Sequence, residues 1–430
     1  MVQSCRDHGR GLGGSVRRLK LGVVGGFADQ AVASFGNFAL NVTLARSLAA
    51  ADYGAFSVAL SFILFFNTLH QALVTYPLSV HGAARPAEMP YLLAVAALLT
   101  PISALGVLPV LGAGLTSVAH PGLLPAAAFA LLFWQLQEVF RRGLLARARY
   151  PAAIAIDLVR YVGTFAAALA LAPHITADGV FLLIGASSLL AILPLVPRAR
   201  QGIGAAARNL KAEIVGHWRM AAPVLGANLL AALSVQWFLW LLAWQRDTGG
   251  AAVLVALANI VAISSPVMFG VENILVPEVA RAQDRMTFPD LMQLVGRRGL
   301  FCGVLIAPFF LLTLAFPERA AQLFYGRATP YAAYPEALRL LVLTYSAYVG
   351  AYIFGAVLRG YRATGAVFKM QLYPALIGLT LGSWLVWQYG VTGACLASLI
   401  AGLTRAGVGF HFVLRLRGST VPPGRAMAAS

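Results

Sequence analysis

The sequence predicts an all-α polytopic membrane protein with about 12 transmembrane helices in two six-helix bundles around a central cavity. Three observations carry that reading. Hydrophobic residues make up 60% of the 430 and charged residues only 11%, at a mean hydropathy of +0.78, more apolar surface than a soluble fold can bury. The apolar residues arrive in runs of roughly 20, which at about 1.5 Å per helical residue cross a hydrocarbon core of about 30 Å. Lys and Arg then fall mostly on one side of the membrane once those runs are drawn as spans. The spans and their connections use up the chain and leave no room for a sizeable soluble domain.

Charge, Pro and Gly bound the runs. The first half holds spans at 21–45, 54–76, 91–112, 121–140, 151–172 and 178–197. The second holds spans at 220–243, 251–275, 299–317, 337–359, 366–388 and 391–414. The expected organisation is a basic cytoplasmic tail (1–20), an N-terminal six-helix bundle (21–197), a basic cytoplasmic linker (198–219), a C-terminal six-helix bundle (220–414) and a second cytoplasmic tail (415–430). With the tails inside, 25 Lys and Arg lie on cytoplasmic segments and five, Arg46, Arg246, Arg319, Arg327 and Arg339, lie opposite. That asymmetry orients the chain. It also explains a net charge of +17 without nucleic acid, because basic loops sit against anionic lipid headgroups. The first run contains Asp29 and Gln30 and shows no cleavage site, so it is expected to remain as a span.

Two echoes suggest that the halves are parallel repeats. Arg142-Gly143 follows span 4 and Arg359-Gly360 follows span 10, while Pro77 and Pro277 close spans 2 and 8. Soluble-enzyme motifs are missing. The Gly9, Gly11, Gly13 and Gly14 cluster follows no strand, and there is no Walker A sequence. Cys5, Cys302 and Cys395 are scattered, and the seven His include no pair at i, i+4, so neither a disulfide framework, a metal centre nor a cofactor is expected.

The ionisable residues inside spans are Asp29, Glu138, Asp157, Arg160, Glu272 and Arg405. Each costs roughly 2.5–3.5 kcal/mol at the centre of a membrane helix, so such groups face a bundle interior or a wet cavity. Asp157 and Arg160 are three apart on one helical face, where a structural ion pair is the alternative to a functional role. Glu138 and Glu272 lie near span ends, within reach of the interface by snorkelling. Asp29, Asn37 and Asn41 share one stripe of span 1, suited to a cavity or to interhelical hydrogen bonds. Tyr345, Tyr348 and Tyr352 line up an aromatic face in span 10, for stacking on sugar rings or for packing.

Span 1 and the following loop read Ala28-Asp29-Gln30-Ala31, Asn37-Phe38, Asn41-Val42-Thr43-Leu44-Ala45-Arg46 and Asp52-Tyr53-Gly54-Ala55-Phe56. This stretch resembles the opening of the polysaccharide-biosynthesis exporters, the O-antigen-type lipid-linked oligosaccharide flippases. Their superfamily also contains multidrug and toxin extruders and peptidoglycan-precursor flippases. The resemblance implies a cavity that opens alternately to either side and moves a polyprenyl-pyrophosphate-linked glycan outward across a bacterial inner membrane. Arg160 and Arg405, the basic groups within spans, are then the candidates for binding the pyrophosphate. Asp29, Asn37, Asn41, Glu138, Asp157 and Glu272 are the cavity and coupling candidates, with H+ or Na+ as coupling cation. The implied partners are the lipid-linked oligosaccharide, membrane lipids and polysaccharide-assembly proteins.

Two other readings remain. An ion-coupled multidrug or cation antiporter of the same architecture needs acidic cavity residues more than basic ones. A glycan polymerase or ligase needs an external loop large enough to build a site, and the longest here runs only from 318 to 336.

Overall fold

The computed structural model describes residues 31–245, 248–283 and 285–417. Helices make up nearly all of them. They are α1 (31–47), α2 (Ala50–Ala84), α3 (Pro86–Ser117), α4 (Pro121–Ala146), α5 (Tyr150–Ala170), α6 (Ala177–Leu195), α7 (Ile203–Gln245), α8 (Thr248–Ala282), α9 (Phe288–Ala315), α10 (Pro317–Tyr325), α11 (Pro335–Gly360), α12 (364–389) and α13 (391–416). Nine helical stretches among the described residues are long and apolar enough to cross a membrane. The last of these, Thr364–Leu416, kinks at Gly390, whose φ of 58° and ψ of −128° suit glycine alone, and so divides into α12 and α13. With α1 and α7 in the places of spans 1 and 7, every expected span is helical where it is described.

The helix starts follow local chemistry. Thr176 caps α6 by accepting from the Gly179 N–H at 3.3 Å, and Thr287 caps α9 by accepting from the Asp290 N–H at 3.4 Å. Pro151, Pro317 and Pro335 stand in the first turns of α5, α10 and α11, where a missing N–H costs nothing.

Among the described residues three spans contain a single wide π turn, at Gln71–Thr75, Leu158–Val162 and Gly378–Gly382. A π turn accommodates one extra residue, so side chains beyond it are turned by about 100° from the α-helical face. Two of these turns lie in α5 and α12, the fifth span of each half. The turns that enter those two spans also match. Ala148 and Arg362 both have left-handed φ. Each follows a helix end closed by a bond from five positions further along, Arg149 to Leu144 and Ala363 to Leu358. The separation of these two turns is close to that of the Arg-Gly echo.

The described residues form two compact units. The first comprises 31–40, 69–110 and 124–223. Its core joins Val74 and Leu78 of α2, Leu92, Val95 and Leu99 of α3, and Val139 and Phe140 of α4. The stretch 203–219, expected as a connection, continues helically into α7, because its good helix formers carry a stripe that docks on this core. Ala206 is buried, the Tyr91 hydroxyl donates to Glu213 at 2.7 Å, and His217 Nδ1 donates to the Leu73 carbonyl at 2.9 Å.

The second unit comprises 41–68, 111–123 and the described residues from 224 onward. Here the motif after span 1 finds its structural use. Arg46 forks onto the Leu323 and Phe324 carbonyls at the C-terminal end of α10, where a cation is favoured. Tyr53 is fully buried, donates to Asn41 Oδ1 at 3.1 Å, and meets Tyr331 edge-on at 6.3 Å. Tyr331 in turn lies 5.0 Å from Tyr325, whose hydroxyl donates to the Ala256 carbonyl at 2.7 Å. Burial pushes the Tyr331 hydroxyl up to about 12 and raises that of Tyr325, so both stay protonated. Gly54 passes so close to α8 that a Cβ would lie 1.7 Å from the Thr248 carbonyl oxygen. Beside it the Thr248 hydroxyl donates to the Ala51 carbonyl at 2.8 Å.

Candidate functional site

In the first unit, α4 and α5 bring five charged side chains together. The Asp157 carboxylate, with no exposed surface, accepts from Arg141 Nε at 2.8 Å and from the Gln137 amide at 3.0 Å. Glu138 accepts from Arg141 at 3.1 Å and from Arg142 at 2.6 Å. Both acids are therefore held by the two arginines at the end of α4. The spacing of three residues allows Asp157 and Arg160 to pair; the close partner of Asp157 is Arg141, and Arg160 acts on it only at longer range. The π turn beginning at Leu158 falls between them and turns Arg160 off the face that carries Asp157.

Arg160 instead lies over two aromatic rings. Its Cζ is 3.9 Å from the Trp134 ring centre and 4.0 Å from that of Tyr161. The side chain is 3% exposed, and among the described residues its Nε has no hydrogen-bond acceptor. Rings contribute roughly 0.5–2 kcal/mol each to holding a guanidinium, yet leave its N–H edge unoccupied. A guanidinium edge of this kind has the chemistry to take an anionic acceptor.

The second unit contains a cavity of about 410 Å³. Arg405 of α13 lines it together with Tyr345, Tyr348 and Tyr352 of α11 and Gln371 of α12. The Arg405 Cζ sits 5.7 Å from the Tyr352 ring, and among the described residues its Nε too has no acceptor. Tyr345 and Tyr348 are 5.6 Å apart, centre to centre. The aromatic face read in span 10 thus lines a cavity.

Glu272 pairs with Arg359 at 2.7 Å. Asn41 is taken up by Tyr53, and Asn37 is exposed on α1 in the first unit. Asp29 lies outside the described residues. The sequence reading missed Arg141, Arg142 and Arg359 as partners of the acids. For Glu138 the signal was present, since Arg141 and Arg142 follow at i+3 and i+4 on the same helix. Trp134 carried no such signal, because its position over Arg160 depends on how α4 packs beside α5.

No protein-family model matches the sequence, and no curated protein matches it. Solved structures match the fold over nearly the whole chain. The inward-facing conformation of a multidrug resistance MATE family transporter of the MOP superfamily superposes with a TM-score of 0.70 at 13% identity, covering 90% of this chain and 95% of that one. The lipid II flippase MurJ in its inward closed conformation gives 0.71 at 12%, covering 93% and 90%. A MOP superfamily transporter from Pyrococcus furiosus, described as having a binding pocket of reversed polarity, gives 0.57 at 12%, covering 94% and 96%. The chain therefore has the fold found in MOP superfamily membrane transporters, and it is a multi-pass membrane protein.

Proposed function

We propose that the protein is an alternating-access transporter that carries a polyprenyl-pyrophosphate-linked oligosaccharide from the inner to the outer leaflet of a bacterial cell membrane, for surface polysaccharide synthesis. The observation that carries this reading is the disposition of charge. Glu138, Asp157 and Glu272 each hold an arginine, while Arg160 and Arg405 lie beside aromatic rings with no acceptor for Nε among the described residues. A cation antiporter needs the opposite, an acid left open to its cargo. An anionic headgroup is served by the arrangement present, a guanidinium fork for phosphate and aromatic surface for sugar. Likeness to a structure named as a lipid II flippase supports a lipid-linked cargo.

The test measures lipid-linked oligosaccharide by leaflet in cells lacking the protein. The expected result is accumulation on the inner leaflet, reversed by the native chain but not by Arg160→Gln or Arg405→Gln. A charge-assisted bond contributes about 1.5–3 kcal/mol, so each variant should weaken headgroup binding roughly 10- to 150-fold. An unchanged leaflet distribution, together with protein-dependent efflux of cationic dyes from vesicles, would replace this reading with the antiporter.

A further inference from the structure

A second cationic feature lies in the first unit, outside both arginine sites and independent of any transported cargo. At the reversal between α4 and α5 the chain passes through Ala148, whose φ is 54°. Its neighbours Arg147 and Arg149 both line one pocket of about 300 Å³, with Met89, Pro90 and Leu93 of α3 and with Gln201. A narrower recess shares both arginines and reaches inward between Phe140, Leu144 and Leu195. One wall is fixed tightly, because a Cβ at Gly202 would lie 2.5 Å from the Pro90 carbonyl oxygen.

Neither guanidinium has a hydrogen-bonding or acidic side-chain partner among the described residues. The acids nearest in sequence are already engaged, Glu138 by Arg141 and Arg142 and Asp157 by Arg141, and Glu88, next to Met89 of the lining, pairs with Arg85 at 3.5 Å. The pocket thus has two forked cations at its mouth, an amide beside them and an apolar floor. A free inorganic anion would use the mouth and leave the floor wet. A neutral lipid would use the floor and leave two charges without a counterion.

We propose that this pocket binds an anionic phospholipid, its phosphate held by Arg147 and Arg149 and the start of an acyl chain lying on Met89, Leu93 and Leu144. Basic pockets between spans at a membrane edge take phosphate headgroups in this way. The lipid would tie α3, α4 and the 201–202 connection together from outside the core.

The experiment uses the full chain purified in a neutral detergent and records its thermal midpoint against added phosphatidylglycerol, phosphatidylcholine or inorganic phosphate. Native mass spectrometry counts bound lipid in parallel. Phosphatidylglycerol should raise the midpoint saturably, with the other two ineffective. Arg147→Gln and Arg149→Gln should each weaken that response about tenfold or more. Arg85→Gln, which removes a paired surface arginine outside the pocket, should leave it intact. Should either pocket variant fail to fold, Arg149→Lys keeps the charge and loses the fork, and is expected to bind lipid at an intermediate level. The proposal is overturned if phosphatidylcholine or inorganic phosphate matches phosphatidylglycerol, or if the pocket variants retain the native response.

Discussion

Replacing Gly54 by Ala tests whether the motif after the first span acts as a structural clamp within the second unit. The added methyl carbon would stand 1.7 Å from the Thr248 carbonyl oxygen and 2.5 Å from its carbon. Real Cβ atoms approach no nearer than about 3.0 Å, so the start of α2 must retreat from the start of α8 by more than an ångström. The obstacle is main chain, so no rotamer change relieves it. The retreat also stretches the 2.8 Å bond from the Thr248 hydroxyl to Ala51. Overpacking costs about 1–3 kcal/mol and a lost neutral hydrogen bond about 1 kcal/mol, giving roughly 2–4 kcal/mol in all. Thermal unfolding in detergent measures the loss, with Gly106→Ala as the control. Gly106 lies within α3 with nothing inside 4 Å of its Cβ position, so Ala there should be neutral or gain up to about 1 kcal/mol of helix propensity. Equal midpoints for the two variants would refute the clamp.

Two further outcomes follow from buried polar groups in the first unit. Arg141→Ala removes a guanidinium from the fully buried Asp157 and should cost about 3–5 kcal/mol, most of it recovered in Arg141→Ala/Asp157→Asn; a single variant as stable as the native chain would contradict the pairing. At His217 burial lowers the imidazole pKa and outweighs the bond to Leu73, which acts in the opposite direction. The folded state thus binds fewer protons than the unfolded one, and stability is full above the ordinary value of about 6.5 and declines as pH falls below it. Protection factors across 203–221, with the base-catalysed intrinsic exchange rate divided out, should fall between pH 7.5 and 5.5 in the native chain and not in His217→Gln, and protection that is constant over that range in both would contradict it.

The spans were legible because membrane thickness dictates their length and hydrocarbon excludes charge. Even the separation of α12 from α13 at Gly390 was readable. The motif from Asn41 to Phe56 was legible as a pattern, but its work was not. Arg46, Tyr53 and Gly54 act on residues in α8, in α10 and in the connection that follows α10, all in the second half of the chain, a separation that no local rule spans. In the candidate site, Arg160 and Arg405 stood out because charge in a span is costly. The partners of the acids were only half visible. Glu138 has its arginines on its own helix, whereas Asp157 reaches across to α4 and Glu272 to α11. The π turn between Asp157 and Arg160 left no mark in the hydropathy pattern, and it was the feature that separated their roles.

That turn bears on how such a span can change over evolutionary time. A helix with one residue more than its rise requires has absorbed the equivalent of a single-codon insertion, so the stretches on either side keep separate angular registers. In α5 the stretch up to Asp157 answers to the arginines of α4, and the stretch from Arg160 onward answers to a different neighbourhood. Substitutions can alter the second while the first goes on holding the unit together. Because α12, the fifth span of the other half, also contains a wide turn, a comparable latitude exists in both halves of the chain.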